Sequence, residues 1–379
     1  MAPRLFADLE EYPEAQKRLR IYKVERQEVR GRGTSKYYSR MAAEFKGMST
    51  FVGIDIGAKT FEVVVRKNDK NSVVKSYKQT SKDHQKLAER LLKLDPACIV
   101  MEATGIYYLN LAVALHDSGL KVSVINPKSF NHFAQLKLSN SKTDGIDAAL
   151  LAEYAQRMTP RLWVAPDPEQ LSLRDIGRQI NRLVGRRTEA KNNLHALKSK
   201  NTTYQPLIDD ELEGIEYLDV RIERLRNMAV EIIKAEEALA QQLENLTAAV
   251  GIGINSAVMI IAELILLPEH LKSSQVSRFA GLDVRLNQSG TSINKPGRLS
   301  KAGNAYLRTA LFMPALSAAN NDPNAKAFYQ SLIQRGKKKM QALCAVMRKM
   351  LTGIWACLKT NTPFDSSKLF SEEHKKACA

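Results

Sequence analysis

Hydrophobic positions along the chain follow two different periods. Between about residues 50 and 165, short runs rich in β-branched residues, such as FVGIDI and FEVVVRK, are followed by segments in which apolar residues recur every three or four positions. The first pattern is typical of strands and the second of amphipathic helices. Three strands in succession, then alternating helices and strands, predict an α/β domain with the element order of the ribonuclease H-like fold.

The turn Gly57-Ala58-Lys59 separates the first two strands as a tight hairpin. A third run, SVVKSYKQ, completes a predicted three-stranded meander. We assign residues 48–165 to this domain. Its remaining predicted elements are a helix near 81–94, a strand over 98–102, a helix through 106–118, a strand over 122–125, and helices near 127–136 and 143–157.

Strand patterns disappear after this domain. Apolar residues then recur at helical spacing, and Pro206 interrupts the pattern near its middle, which predicts two long helices forming a hairpin or coiled coil. We therefore predict a helical coiled-coil spacer over residues 166–246. A mostly α-helical domain is predicted over residues 247–362.

Both ends of the chain are predicted to lie outside the folded domains. Residues 1–47 are rich in charge and tyrosine with little apolar periodicity, and they form an extension of unknown role before the first strong strand. Residues 363–379 form a tail that is predicted to be disordered after residue 364. Neither end carries a motif on which the functional prediction depends.

The chain is strongly basic. It has 57 Lys and Arg against 40 Asp and Glu, a formal net charge of +17, and such an excess favours nucleic acid or another anionic surface as the partner. The larger part of the excess lies in the C-terminal third. A phosphate-facing stripe is predicted there from the clustered cations Arg335, Lys337, Lys338, Lys339, Arg348 and Lys349.

Cysteine and histidine usage argues against a zinc protein. The four cysteines include no Cys-x-x-Cys pair, and the six histidines are dispersed. No window reaches the roughly 18 apolar residues that a membrane span requires, and the first residues are charged rather than signal-like. These features predict a soluble protein in a reduced cytoplasm.

Four acidic residues occupy positions suited to a metal site for phosphoryl transfer. Asp55 lies inside an otherwise apolar strand, and Glu102 ends the apolar run CIVME at the C-terminal edge of another strand. Asp144 and Asp147 are three positions apart at the start of a helix, so both project from one face. Carboxylate oxygens are the ligands that hard divalent cations prefer, so the four side chains predict a metal centre.

Each of these residues also has an ordinary structural explanation. Asp144 is compatible with a plain charge at a helix N-terminus, and Glu102 with a turn residue. The run VGIDIG also opens actin-like ATPases and sugar kinases, but that fold requires a second similar domain, and none is visible after residue 160. The combination of all four residues on neighbouring strands and a following helix favours the metal centre.

Five segments resemble those of one family of mobile-element enzymes. They are VGIDIGAKTFEVVV, MEATGIYYLNLAVAL, NPKSFNHFAQLKLSNSKTDGIDAALLAEYA, GIGINSAVMIIAEL and AGLDVRLNQSGTSINKPGRLSKAGNAYLRTAL, of which the third and fifth are the more specific. Over about residues 50–360 the chain resembles the DEDD transposases of the IS110 family, also described as bridge-RNA-guided recombinases. The resemblance implies a RuvC-like catalytic domain and a bacterial protein associated with the nucleoid.

The resemblance also implies functional residues. By position, the Mg²⁺ ligands correspond to Asp55, Glu102, Asp144 and Asp147, and the serine nucleophile that becomes covalently joined to DNA corresponds to Ser289 in Gln-Ser-Gly. Homodimers or homotetramers are implied, in which the carboxylates of one subunit complete a site with the serine of another. A structured noncoding bridge RNA encoded by the element would pair with both donor and target DNA.

The assignment of the serine rests on the resemblance, because a Ser-Gly pair by itself indicates a turn. Ser292 and Ser300 lie nearby and remain alternatives. Point contacts to nucleic-acid phosphate are expected from the neighbouring cations Arg285, Lys295, Arg298, Lys301 and Arg308.

Two other functions remain open at the level of the sequence. One is a metal-dependent endonuclease of the Holliday-junction type, in which water attacks and no protein–DNA adduct forms. The other is a nucleic-acid-binding protein with a degenerate catalytic core, for which replacing Asp55 or Asp147 by alanine leaves DNA rearrangement unchanged.

Overall fold

The computed structural model describes residues 50–137, 143–200, 202–289 and 293–370, with the backbone alone at 286–289 and 293–296. The chain divides into two compact units between Ala165 and Pro166. The predicted extension over residues 1–47 lies outside the described residues. Among the described residues, no helix is both long and apolar enough to cross a membrane.

The first unit is built on a six-stranded mixed sheet. Its strands are β1 (Thr50–Ile56), β2 (Thr60–Lys67), β3 (Lys70–Asn71), β4 (Lys75–Lys78), β5 (Cys98–Glu102) and β6 (Val122–Ile125). The order is β3-β2-β1-β5-β6, and β4 also pairs with β2. β1 pairs with β2 antiparallel but with β5 parallel, and β5 pairs with β6 parallel, so the predicted α/β domain, in which helices and strands alternate after the first strands, is confirmed.

The predicted third strand is two short strands instead of one. β3 and β4 both pair antiparallel with β2, and the turn between β2 and β3 uses positive φ angles at Asn68 and Asp69. The Ser72 N–H still donates to the Val65 carbonyl oxygen at 2.8 Å, but Val73 is 84% exposed. The ladder is therefore interrupted where the apolar run SVVK has no core to face.

In the described part of the first unit, four helices accompany the sheet, close to the predicted positions. They are α1 (Ser81–Leu94), α2 (Tyr108–Asp117), α3 (Pro127–Leu136) and α4 (Asp144–Met158). α1 begins after Thr80, whose hydroxyl accepts the Asp83 N–H, and α4 begins after Thr143, whose hydroxyl accepts the Ile146 N–H. Both caps satisfy N–H groups that lack a partner in the first helical turn.

α4 packs directly against β1 at Gly53. A Cβ atom added to Gly53 would lie 2.1 Å from the Ala148 carbonyl oxygen and 2.2 Å from the Ala152 nitrogen. These are backbone atoms, which cannot swing away as a flexible side chain can. The absence of a side chain at Gly53 is therefore what lets the helix carrying Asp144 and Asp147 approach the strand carrying Asp55.

We expect Gly53→Ala to destabilise the first unit by about 3 kcal/mol, the upper range for overpacking a core, because the added methyl forces α4 off the sheet. Urea unfolding followed by circular dichroism measures this. The control is Gly185→Ala, in a helix interior with nothing within 4 Å of the added Cβ. That change is expected to stabilise by roughly 0.5–1 kcal/mol. Equal midpoints for Gly53→Ala and the unmodified chain would contradict the packing argument.

The second unit is mostly helical. Its helices are α5 (Pro168–Lys198), α6 (Gln205–Lys234), α7 (Glu237–Thr247), α8 (Ile254–Leu264), α9 (Ser273–Phe279), α10 (Ala305–Asn321), α11 (Pro323–Gln334) and α12 (Lys339–Thr360). The two predicted long helices are α5 and α6, and Pro206 lies in the first turn of α6, where a missing N–H is harmless. The shorter α7 was not predicted.

α5 and α6 pack along each other and share a core with the C-terminal helices. Buried Leu173 and Ile180 of α5 belong to the same hydrophobic cluster as Ile354 and Trp355 of α12. The segment predicted as a spacer therefore contributes to the core of the C-terminal helices from both long helices, since Ile222 and Ile233 of α6 belong to the same cluster. Its helical periodicity predicts a buried face but does not indicate what that face contacts.

A two-stranded antiparallel hairpin interrupts the helices, formed by β7 (Val284–Ser289) and β8 (Ile293–Leu299). This hairpin was not predicted, because VRLNQS and INKPGRL lack a clear apolar alternation. Pro296 is tolerated in β8 because each strand of a two-stranded ribbon has a free edge.

The predicted disorder after residue 364 is wrong for residues 365–370. Ser366–Lys368 forms a 3₁₀ turn, and Phe370 is 3% exposed with its ring centroid 5.0 Å from that of Phe328. Lys349 Nζ also donates to the Leu369 carbonyl oxygen at 3.0 Å. The apolar pair Leu369-Phe370 thus anchors a segment whose composition is otherwise polar.

Candidate functional site

The fold brings the four predicted carboxylates to one end of the sheet. Asp55 is near the end of β1, and Glu102 is the last residue of the adjacent parallel strand β5. Asp144 and Asp147 lie in the first turn of α4, which packs on β1. Adjacent parallel strands end at the same edge of a sheet, so residues from two strands and one helix converge there.

The pKa of Asp55 responds to its burial and to the other three carboxylates. Burial raises this pKa to about 6, and the negative charges of Asp147, Asp144 and Glu102 add to the effect. A hydrogen bond from the backbone N–H of Ile56 acts in the opposite direction. The chain therefore holds like charges together at an electrostatic cost that a bound cation would relieve.

Local hydrogen bonds orient parts of this cluster. Thr104 Oγ1 donates to Glu102 Oε1 at 3.1 Å, and the Asp147 N–H donates to the Thr143 carbonyl oxygen at 2.9 Å. Sequence reasoning missed Thr104, although its position in MEATG, two residues after the acid, suits such a bond. Asp144 and Asp147 also lie at the positive end of the α4 dipole, so their predicted role at the helix start coexists with a place in the cluster.

The donor set fits a hard divalent cation in its chemistry. Carboxylate oxygens bind Mg²⁺ or Mn²⁺ and leave positions open for phosphate and water, whereas zinc sites prefer nitrogen and sulfur ligands. Within the ranges that the structure describes, no three His, Cys, Asp or Glu side chains are arranged as a ready metal cage. Burial of Asp55, together with repulsion from the three neighbouring carboxylates, raises its pKa and supports a cation site.

The candidate serine lies on the hairpin. Ser289 ends β7 and pairs with Ile293, the first residue of β8, so it flanks the connection between the strands. Its side chain, and the whole of Ser292, lie outside the described residues. Ser300 lies at the opposite end of the hairpin: its Oγ donates to Asp283 Oδ1, and its N–H donates to the Asp283 carbonyl oxygen at 2.9 Å. Ser300 therefore closes the base of the hairpin.

The predicted phosphate-binding cations fall into two groups. Arg285 and Arg298 are direct partners across the β7–β8 ladder and are both exposed, as is Lys301, whereas the side chain of Lys295 lies outside the described part. Facing like charges destabilise a ladder unless an anion joins them. Arg308 differs, because its Nη1 donates to the carbonyl oxygens of Ala280 at 2.9 Å and Gly303 at 3.1 Å.

The predicted C-terminal basic stripe is only partly a surface feature. The exposed cations Arg335, Lys337, Lys338 and Lys339 cluster where α11 gives way to α12, and Arg348 is exposed on α12. Arg335 Nε donates to the Ser331 carbonyl oxygen at 3.4 Å but stays exposed, whereas the half-buried Lys349 binds the Leu369 carbonyl oxygen. Five of the six predicted cations are therefore exposed.

A buried ion pair, missed by sequence reasoning, fixes the segment that follows the hairpin. Glu263 is 4% exposed and accepts hydrogen bonds from Arg178 Nε at 2.6 Å and Nη2 at 3.0 Å. It also accepts from Asn304 Nδ2 at 2.5 Å, while Asn304 Oδ1 accepts the Leu307 N–H at the start of α10. Helices α5 and α8 are thereby tied to the chain that leaves β8.

Comparison with known proteins agrees with these features. A family model of the IS110 DEDD transposase, described as "Transposase", matches residues 52–198, and the model "Transposase IS116/IS110/IS902 family" matches residues 243–330. The chain belongs to the IS110 family of transposases. The first match covers all four candidate carboxylates of this IS110 chain, and the second covers the β7–β8 hairpin.

Similar proteins are named for DNA rearrangement. The "Pilin gene-inverting protein" of Moraxella bovis is 29% identical over 268 residues, covering 70% of this chain and 81% of that protein. The "Transposase for insertion sequence element IS1111A" of Coxiella burnetii is 25% identical over 296 residues, covering 70% and 78%. Among solved structures, T. thermophilus RuvC in complex with a Holliday junction substrate is matched over 30% of this IS110 chain and 99% of that chain, at 15% identity and a TM-score of 0.25.

Proposed function

We propose that this chain is the transposase of an insertion sequence that cleaves and rejoins DNA strands through a phosphoserine intermediate. Mg²⁺ would be held by Asp55, Glu102, Asp144 and Asp147, and Ser289 would be the nucleophile. The convergence of four carboxylates at one end of the sheet, in a member of the IS110 family, is the observation that carries the proposal.

The chemistry of the proposed reaction balances without an external energy source. When bound, Mg²⁺ would supply Lewis-acid stabilisation of the charge that develops on the scissile phosphate. Ser289 Oγ attacks phosphorus, the bond from phosphorus to the 3′ oxygen breaks, and the serine proton is balanced by protonation of that leaving oxygen. The 5′ phosphate is then joined to Ser289. Attack by another 3′ hydroxyl reverses the step and rejoins strands without ATP.

The hairpin is proposed to hold the DNA backbone next to Ser289. Arg285 and Arg298 face each other across the ladder and are exposed, so a phosphate between them would turn a repulsive pair into a favourable contact. Lys295 and Lys301 would add point contacts. Arg308 is proposed to support the hairpin base and to offer its remaining N–H groups to phosphate.

We propose that a structured RNA encoded by the element selects the DNA by base pairing, which leaves the protein to recognise backbones. The net charge of +17 supports a partner with many phosphates, and the cations named above are suited to phosphate rather than to base edges. Homodimers or homotetramers, in which carboxylates of one subunit act with Ser289 of another, form part of the same proposal.

Sequencing the RNA that co-purifies with the chain tests this proposal. We expect one structured species encoded beside the gene, retained after a wash at about 1 M salt, where the Debye length falls to roughly 3 Å and non-specific phosphate contacts are screened. A mixture of cellular RNAs that the wash removes would contradict RNA guidance. The matched control is a Lys337→Glu, Lys338→Glu, Lys339→Glu variant, which should lose non-specific RNA first.

A further inference from the structure

Gln79 links the two chain segments that leave the sheet just after Asp55 and Glu102. Its Nε2 donates to the Gly57 carbonyl oxygen at 3.1 Å and, over a longer 3.4 Å, to the Tyr107 carbonyl oxygen. Gly57 closely follows Asp55 at the end of β1, and Tyr107 ends the loop that follows Glu102. One side-chain amide therefore spans the edge of the sheet at which the carboxylates meet.

The orientation of this amide is fixed by His84. His84 is 6% exposed, and its Nε2 lies 2.9 Å from Gln79 Oε1. Because Oε1 only accepts, Nε2 must carry the hydrogen. Burial lowers the pKa of His84, so the ring is neutral near pH 7. The ring also lies against Phe61, with centroids 5.7 Å apart, which holds it in the core of the unit.

The loop after Glu102 has little packing of its own. Ile106 is 74% exposed and Tyr107 is 47% exposed, so apolar burial contributes little to the position of this segment. Asp55 and Glu102 lie near the ends of adjacent parallel strands, where repulsion between their like charges tends to separate them. A polar bridge between the two segments opposes that separation.

We propose that Gln79, oriented by His84, is a positioning residue that sets the spacing between Asp55 and Glu102 and thereby the affinity of the site for a divalent cation. Neither residue belongs to the carboxylate set. The inference rests on the proposed metal function. Partners that orient metal ligands from outside the coordination sphere typically change metal affinity by about 10–100-fold when removed.

The test measures binding of Mn²⁺ alone to the full chain, by electron paramagnetic resonance of the free ion, without nucleic acid. Gln79→Met keeps the shape of the side chain but removes its polar atoms. We expect about tenfold weaker Mn²⁺ binding with an unchanged melting temperature. His84→Phe keeps a ring against Phe61 and should weaken binding less. The double variant should be no weaker than Gln79→Met, because both changes remove the same bridge.

Two further variants separate the possible outcomes. Gln85→Ala, at an exposed glutamine on α1 next to His84, should bind Mn²⁺ like the unmodified chain. Asp55→Asn should lose binding. Normal Mn²⁺ affinity in both Gln79→Met and His84→Phe, with loss in Asp55→Asn, would overturn the bridge and leave the metal site standing. Normal affinity in Asp55→Asn would overturn the metal site and the bridge together. If Gln79→Met does not fold, the Mn²⁺ affinity of His84→Phe tests the bridge in its place.

Discussion

Ser289→Ala is expected to abolish covalent protein–DNA adducts and to lower strand exchange by about 10⁴-fold or more, the scale on which enzymes lose rate when their nucleophile is removed. The reason is that alanine has no oxygen to attack phosphorus, whereas the carboxylates and the basic hairpin are left in place. Adducts are measured by denaturing gel electrophoresis after incubating the protein with labelled donor DNA, RNA and Mg²⁺. RNA and DNA binding, measured by filter retention, should stay within about twofold.

Ser300→Ala is the matched control for this experiment. Its hydroxyl already bonds to Asp283 at the hairpin base, so adducts should still form, with at most a loss of stability. Ser292→Ala tests the remaining alternative nucleophile in the same way. Adducts that persist in Ser289→Ala but disappear in one of the others would move the nucleophile to that serine. Cleavage by the unmodified chain with no adduct at any time would instead favour the endonuclease in which water attacks.

Asp55→Asn is expected to have opposite effects on activity and stability. Loss of one carboxylate from the metal centre should lower Mg²⁺-dependent cleavage by about 10³-fold, since a bound metal stabilises the transition state by several kcal/mol. In the absence of metal, however, the same change removes a charge that burial and three neighbouring carboxylates disfavour. The variant should therefore melt at a higher temperature than the unmodified chain near pH 7.5.

The stability difference should depend on pH in a defined direction. The pKa of Asp55 is about 6 in the folded chain, against 3.8 for an ordinary aspartate exposed to water. Between these values the folded state holds a proton that the unfolded state has lost, so stability falls as pH rises through this window. Asparagine does not ionise, so Asp55→Asn does not lose this stability as pH rises. The gain in melting temperature should be on the order of 2–4 °C above pH 6, the shift that about 1 kcal/mol produces, and should vanish near pH 4.

Differential scanning calorimetry in the presence of a metal chelator measures the difference in melting temperature above pH 6 and near pH 4. The control is Glu89→Gln, at an exposed acid on α1. Adding Mg²⁺ should stabilise the unmodified chain and leave Asp55→Asn unchanged, because only the intact centre binds the ion. A lower melting temperature for Asp55→Asn at pH 7.5 would show that the carboxylate is not electrostatically strained. Full activity of the variant would favour a nucleic-acid-binding protein with a degenerate core.

Much of the first unit was predictable because its signals are local. β1, β5 and β6 are short apolar runs bounded by polar residues, and α1 and α4 begin after a threonine that caps them. The β7–β8 hairpin gave no such signal, since its strands have no clear apolar face. The order at Phe370 was also missed, because one aromatic contact with Phe328 outweighs a polar composition.

By itself the sequence determined the strand and helix periods, the basic character and the positions of the four acids, because these follow from residue type and spacing. It also carried the resemblance that singles out Ser289. Only the tertiary structure decided that Gly53 lets α4 meet β1, that Glu263 ties α5 and α8 to the chain after β8, and that Gln79 bridges the segments after Asp55 and Glu102. These contacts join residues far apart in the chain, where neither periodicity nor propensity carries information.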